Sequence, residues 1–143
     1  MVVVDASVAA KWVLPEEHAP EAALLLSGAW ALHAPSHWLG EAMTAVWSAT
    51  RARDAITPAQ CRDRVAFLRG SAVRETPLRD VAGDAVDLAL RLDLTPYDAA
   101  YLALALRLGV PVVTADTRMR RKCAAGGFSA SVLWVAGLGA APP

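Results

Sequence analysis

Short, wholly apolar runs alternate along the chain with longer stretches of helical periodicity. Val2-Val3-Val4 reads as a buried strand, and the small polar turn Asp5-Ala6-Ser7 leads from it into a helix from Val8 to Leu14, ended by Pro15. Glu21 to Leu26 has helical spacing, Ala31 to Ala34 forms a second short strand, and Pro35-Ser36 opens a helix from about His37 to Arg53. Thr57-Pro58-Ala59-Gln60 is a capping box with proline at the first helical position, which starts a helix running to about Arg69. Ala72 to Thr76 is a third strand, closed by Pro77. From Asp80 to Leu92 the pattern sets Asp80, Asp84 and Asp87 opposite Val81, Ala85, Leu88 and Leu92, an amphipathic helix with its aspartates in solvent. Thr95-Pro96-Tyr97-Asp98 caps a further helix through Leu108, apolar on nearly every side, and Gly109 is placed to end it in the left-handed conformation. Pro111-Val112-Val113-Thr114 repeats the opening motif, an apolar strand that runs into an acid, here Asp116. A basic helix from about Thr117 to Ala125 stops at Gly126-Gly127, and Ser131 to Val135 makes the last strand before a tail of Gly, Ala and Pro.

Apolar strands alternating with helices indicate an α/β fold of three layers, α/β/α, whose parallel sheet is covered on both faces because right-handed crossovers put the helices there. At 143 residues the chain is long enough to bury a core without disulfide or metal staples, so residues 1–143 are read as one domain. No apolar run approaches the ~20 residues of a membrane-spanning helix, and Asp5 comes too early for a signal sequence, so the expected location is cytoplasmic. Cys61 and Cys123 lack a CxxC spacing and read as reduced thiols. His18, His33 and His37 lack a zinc-type spacing with each other or with the cysteines, and read as ordinary surface or half-buried histidines.

The chemistry lies in the acids. In parallel α/β sheets ligands bind beyond the carboxyl ends of the strands, near a switch in strand order, and Asp5 and Asp116 both end strands. Each has an alternative use as the N-cap of the helix that follows, since a carboxylate there accepts backbone N–H groups at the positive end of the dipole. Asp98 is the third residue of its helix and has the alternative of bonding back to Thr95. The rest of that helix is almost uncharged, which favours a cleft at Asp98. Glu41 falls opposite the apolar stripe Leu39, Ala42, Met43 and Val46, beside His37, Thr44 and Ser48, where a glutamate in solvent is the default. Position alone does not select it over Glu21 or Asp54. Net charge is zero, with 14 Lys+Arg against 14 Asp+Glu, so there is no global basic signature of nucleic-acid binding. Locally, Arg118, Arg120, Arg121 and Lys122 fall within five positions.

Over nearly the whole chain these motifs resemble a PIN domain, and within that family a VapC-type toxin of a toxin–antitoxin pair. Val3-Val4-Asp5-Ala6-Ser7-Val8-Ala9 with Lys11-Trp12 is similar to the family's first strand and turn. Tyr97-Asp98-Ala99-Ala100-Tyr101-Leu102-Ala103-Leu104-Ala105 is similar to its third acidic motif, and Val113-Thr114-Ala115-Asp116 to its fourth. Glu41, in Leu39-Gly40-Glu41-Ala42, falls where the family's second acid sits, and the resemblance is what selects it; Gly40 is not the residue expected before that acid. The resemblance implies a five-stranded parallel sheet in order 3-2-1-4-5, which would bring Asp5 next to Asp116. It implies magnesium (Mg2+), with manganese (Mn2+) as a substitute, held by Asp5, Asp98 and Asp116, and Glu41 as a further ligand or as the base that positions water. Ser7 and Thr114 would be accessory, orienting the carboxylates. The expected reaction is metal-assisted hydrolysis of an RNA phosphodiester to a 5′-phosphate and a 3′-hydroxyl, on a single-stranded loop of a structured RNA. Lys11, Arg118, Arg120, Arg121 and Lys122 would hold the RNA backbone, or else form a solvated helix face. The partners implied are an RNA substrate, a cognate antitoxin protein and a second copy in a homodimer, with Trp12, Trp30, Trp38, Trp47 and Trp134 supplying apolar area for the core or for interfaces. Two other readings stay open: a nuclease acting on single-stranded or flap DNA, and a non-catalytic RNA- or protein-binding module. A phosphoacceptor receiver is disfavoured because Ala72 to Thr76 leads to no nearer acid than Asp80 and the last strand carries no lysine.

Overall fold

The structure is a computed structural model that describes residues 1–139. The strands are β1 (Val2–Val4), β2 (Leu32–Pro35), β3 (Val73–Thr76), β4 (Val112–Thr114) and β5 (Val132–Trp134). The helices are α1 (Ala6–Lys11), α2 (Ala19–Ala23), α3 (Trp38–Ala49), α4 (Pro58–Gly70), α5 (Leu78–Leu92), α6 (Pro96–Leu108) and α7 (Thr117–Ala125). All strand pairs are parallel, in the order β3-β2-β1-β4-β5, as the resemblance implied. The chain therefore moves outward from β1 to β3, then returns through α5 and α6 to lay β4 against the free side of β1. Val3 pairs with Val112 and Val4 with Val113, and the Asp5 amide extends the ladder to the Val113 carbonyl at 3.1 Å. The order thus reverses between β1 and β4, the place where such sheets leave a crevice beyond their carboxyl ends.

Burial on both faces explains why the central strands β1 and β4 are almost wholly apolar, whereas the edge strand β3 carries exposed Arg74 and Glu75. Val3, Ala34 and Val112 point into a core shared with α3, α5 and α6, while Val2, Val4, Leu32 and Val113 point into a second core with Val8, Ala22, Leu25, Trp30 and Val135. Every residue of α6 from Ala99 to Ala105 is buried, and its alanines let the helix approach the sheet closely. Gly109 ends α6 at φ 66°, the left-handed conformation expected of it, and Asp80, Asp84 and Asp87 lie exposed on α5.

Several boundaries differ from the sequence reading. α1 begins at Ala6 and not at Val8 because Asp5 itself is the N-cap, so Ala6 and Ser7 are already helical. The segment expected from Glu21 to Leu26 is a short helix from Ala19, with Pro20 in its first turn, that tightens into a 3-10 turn at Leu24–Ser27. α3 stops at Ala49, short of Arg53, where the Thr50 hydroxyl bonds the Trp47 carbonyl at 2.7 Å. Its buried side is Trp38, Ala42 and Val46; Met43, expected on that stripe, is 41% exposed. The expected tail begins in a 3-10 turn at Val135–Gly137, and its residues 140–143 lie outside the described residues. Among the described residues no helix is long and apolar enough to cross a membrane.

Candidate functional site

At the junction of β1 and β4 a continuous run of hydrogen bonds fixes Asp5. Asp5 leaves β1 with extended backbone and caps α1, its Oδ1 accepting the Ser7 amide at 3.3 Å. Both neighbouring hydroxyls donate to its other oxygen, Ser7 Oγ at 2.7 Å and Thr114 Oγ1 at 2.5 Å. These hydroxyls in turn accept amides from the strand β4 exit: Ala115 N–H to Ser7 Oγ at 3.0 Å and Asp116 N–H to Thr114 Oγ1 at 2.9 Å. Three donors therefore reach the Asp5 carboxylate, and the two amides at the β4 exit turn the hydroxyls among them toward it. It is nonetheless buried, and desolvation raises its pKa to about 6 against the pull of Thr114 and Ser7, with a small further push from Glu41.

Asp116 caps α7, with Oδ1 accepting the amides of Arg118 at 2.7 Å and Met119 at 3.1 Å. Asp98 sits in the first turn of α6, where its amide donates to the Thr95 hydroxyl at 3.1 Å. The return bond of a capping box is missing here, although the equivalent bond is made at Thr57 and Gln60. Among the described residues no donor meets the Asp98 carboxylate, which leaves it free just before the buried stretch Ala99–Ala105. Glu41, in the first turn of α3, accepts the Tyr101 hydroxyl at 2.6 Å. Burial raises the Glu41 pKa, Tyr101 opposes that, and the charge of Asp98 adds to it.

The acids sense one another in sequence around the crevice. Glu41 acts on Asp5, Asp98 on Glu41, and both Asp116 and Asp98 on the buried Cys123, whose thiol is pushed up to about 11, chiefly by desolvation. As the side chains stand, no three Asp, Glu, His or Cys groups among the described residues converge on one ion-sized point. In chemistry the donor set still suits a hard divalent cation: oxygen ligands only, with raised carboxyl pKa values at Asp5 and Glu41 that nearby positive charge would relieve.

The five basic residues divide. Lys11 pairs with Glu16 at 2.9 Å. Lys122 bonds both the carboxylate and the carbonyl of Asp93, and Arg118 reaches the same carbonyl at 3.3 Å, so these two clamp the left-handed turn that ends α5. Arg120 lies over the Trp134 ring at 5.1 Å, and Arg121 is exposed.

Two residues at the crevice went unassigned in the sequence. Tyr101 lies within the third acidic motif, three residues after Asp98, and is fully buried; its hydroxyl pKa is raised by desolvation and by Asp5 and Glu41. His37 is one helical turn before Glu41, with Nε2 3.4 Å from Glu41 Oε2. Its ring packs 5.0 Å from those of Tyr97 and Tyr101, and among the described residues neither nitrogen completes a hydrogen bond. Burial lowers its pKa. The available signal was spacing: His37 to Glu41 and Asp98 to Tyr101 are i,i+4 and i,i+3 pairs, each on one helix face.

Comparison with known proteins gives a consistent likeness. The PIN domain family model matches residues 2–125. Ribonuclease VapC3 of Pyrobaculum aerophilum is 32% identical over 123 residues, covering 84% of this chain and 92% of that protein. Ribonuclease VapC12 of Mycobacterium tuberculosis is 34% identical over 119 residues, covering 83% of this chain and 89% of that protein.

Proposed function

We propose that this chain, which belongs to the PIN domain family, is a magnesium-dependent endoribonuclease and the toxin of a toxin–antitoxin pair. The observation that carries the reading is the buried carboxylate of Asp5, kept in place by Ser7 and Thr114 at the switch between β1 and β4, with Asp98, Asp116 and Glu41 around the same crevice. Relatives of nearly full length named ribonucleases support it.

Asp5, Asp98 and Asp116 would hold the ion, with manganese as a substitute. Bound there, magnesium would supply Lewis-acid chemistry, polarising water and offsetting the negative charge of the phosphodiester. The chain's own groups do the rest. Ser7 and Thr114 present Asp5 in one orientation, so little ordering remains when substrate arrives. Tyr101 fixes Glu41 by a single hydrogen bond, leaving the other carboxylate oxygen to orient the attacking water and accept its proton. Water oxygen bonds to phosphorus as the bond to the 3′-oxygen breaks, and that oxygen takes a proton from solvent, leaving a 5′-phosphate and a 3′-hydroxyl. Arg120 and Arg121 are the nearest to available cations for the RNA backbone, whereas Lys11 must first leave Glu16, and Arg118 and Lys122 must leave Asp93. A cognate antitoxin and a second copy of the chain are the proposed protein partners.

The decisive experiment incubates the purified chain with total RNA, and in parallel with single-stranded DNA, in magnesium, manganese or EDTA, alongside Asp5→Asn and Asp98→Asn. RNA cleavage that requires the metal and is lost in both variants is expected. Cleavage indifferent to EDTA or to either substitution would overturn the metal-cluster reading, and cleavage of DNA alone would move the activity to the other substrate.

A further inference from the structure

Beside the acidic crevice, between α3 and the first turn of α6, lies an open cleft of about 230 Å³ lined by His37, Gly40, Glu41, Thr44 and Tyr97. We propose that this cleft is a nucleobase subsite, holding by stacking one unpaired base of the RNA next to the phosphate that is cut. The proposal rests on the ribonuclease reading and adds to it a residue-level account of which nucleotide is gripped and by what.

Three observations carry it. Tyr97 is 55% exposed in the first turn of a helix whose middle, Ala99–Ala105, is buried, and it immediately precedes Asp98. Its ring is not loose: His37 packs against it at 5.0 Å with the planes 40° apart, and His37 is braced at 5.0 Å by the fully buried Tyr101. An exposed aromatic face that is already immobilised gains stacking energy without a further ordering cost.

No side chain rises from residue 40 into the cleft. A Cβ built on Gly40 meets nothing within 4 Å, so the space above it is free, yet glycine inside a helix costs up to ~1 kcal/mol relative to alanine. Packing therefore does not require the glycine, and a long side chain at that position would enter the cleft lined by Tyr97 and Glu41.

The rim is made of acceptors. The Thr44 hydroxyl donates to the Gly40 carbonyl at 2.9 Å and so presents lone pairs to the cleft, and the Glu41 carboxylate stands beside it. Such a rim suits a base edge that carries an exocyclic amino group, as adenine, cytosine and guanine do and uracil does not. The cleft admits one planar ring system, which requires the base to be out of a duplex.

The test measures binding without turnover. Fluorescence anisotropy in EDTA compares a short single-stranded RNA with versions in which one nucleotide at a time is abasic, for the wild-type chain and for Tyr97→Leu, Tyr97→Phe and Gly40→Met. In the wild type one position is expected to weaken binding roughly 5- to 150-fold when its base is removed. Tyr97→Leu, which removes the ring, and Gly40→Met, which fills the cleft, should abolish that difference, and Tyr97→Phe should keep it. Thermal melts monitored by circular dichroism establish that each variant is folded. Base dependence unchanged in both Tyr97→Leu and Gly40→Met overturns the subsite and leaves the ribonuclease reading intact. So does unchanged RNA affinity accompanied by altered self-association in sedimentation, which would assign the cleft to contact between copies. A wild-type chain with no RNA affinity would sink the ribonuclease reading, and the subsite with it.

Discussion

Thr114→Val replaces a fully buried hydroxyl by a methyl group of nearly the same shape and so separates hydrogen bonding from packing. Thr114 Oγ1 donates to Asp5 at 2.5 Å, and of the interactions that keep Asp5 ionised against its burial it is the strongest. A hydrogen bond to a charged group contributes ~1.5–3 kcal/mol, and ~1.4 kcal/mol moves a pKa by one pH unit, so its loss should carry Asp5 from about 6 to roughly 7–8. At pH 7 the ionised fraction would then fall from roughly nine-tenths to between about a half and a tenth. The Ser7 hydroxyl and amide remain, at 2.7 and 3.3 Å, and keep the side chain in place. The assay is a titration of the Asp5 carboxyl 13C shift in metal-free protein, paired with a pH profile of RNA cleavage. A cleavage loss at pH 7 that is regained at pH 9 would mark an effect on ionisation and not on geometry. A titration midpoint in Thr114→Val at or below that of the wild type would refute the reasoning.

The same pKa sets the acid–base behaviour of the metal-free fold. Because folding raises Asp5 above its ordinary 3.8, its contribution is fully present below about pH 4 and is lost as the pH rises through about 6; the gap amounts to ~3 kcal/mol. Denaturant unfolding should accordingly show lower stability at pH 8 than at pH 5, with Asp5→Asn flattening the difference, and an equal slope in the two proteins would count against this. Tyr101→Phe removes the 2.6 Å bond that opposes the raised pKa of Glu41, so the acid limb of the cleavage profile should move to higher pH; an unmoved limb would show that Glu41 is not the group titrating. Arg121→Ala should weaken RNA binding evenly across sequences and lower the salt dependence by about one phosphate contact, as measured by anisotropy from low to high salt, and an unchanged slope would remove Arg121 from the RNA path.

What the sequence disclosed and what it hid divide along physical lines. The strands were legible because both faces of the sheet are covered, so Val2–Val4 and Val112–Thr114 have no polar position until they end, and the acids mark those ends. The adjacency of Asp5 and Asp116 was not legible from periodicity, since strand order belongs to the tertiary packing; it came with the family resemblance. α3 was harder to read because its moment mixes two apolar sides. Trp38, Ala42 and Val46 are buried, but Met43 and Trp47 are exposed, so a stripe drawn from hydrophobicity alone was rotated toward Met43. Trp38 further ties α3 to the sheet through Nε1 on Glu75 at 2.9 Å, a contact 37 residues away that no local pattern announces. The brace of His37, Tyr97 and Tyr101 was hidden for the same reason, being built from two helices 60 residues apart.

Capping and site membership, posed in the sequence as alternatives for each aspartate, turn out to be compatible for a stereochemical reason. A carboxylate has two oxygens with about four lone-pair sites. Asp116 meets both cap amides with Oδ1 alone, so Oδ2 remains for other work. Asp5 gives Oδ1 to the Ser7 amide and receives the two hydroxyls on Oδ2, so capping fixes the plane in which those hydroxyls must approach. Asp98 is the contrast, because Thr95 caps α6 without any return from the carboxylate, and among the described residues no fold contact accounts for its charge. Two of the three acids therefore lie where helix starts would put an aspartate in any case, at strand ends made adjacent by the β1–β4 pairing. Capping thus orients the site at little added cost to the fold, and the residue whose presence the fold does not explain, Asp98, is the one for which a functional demand is most needed.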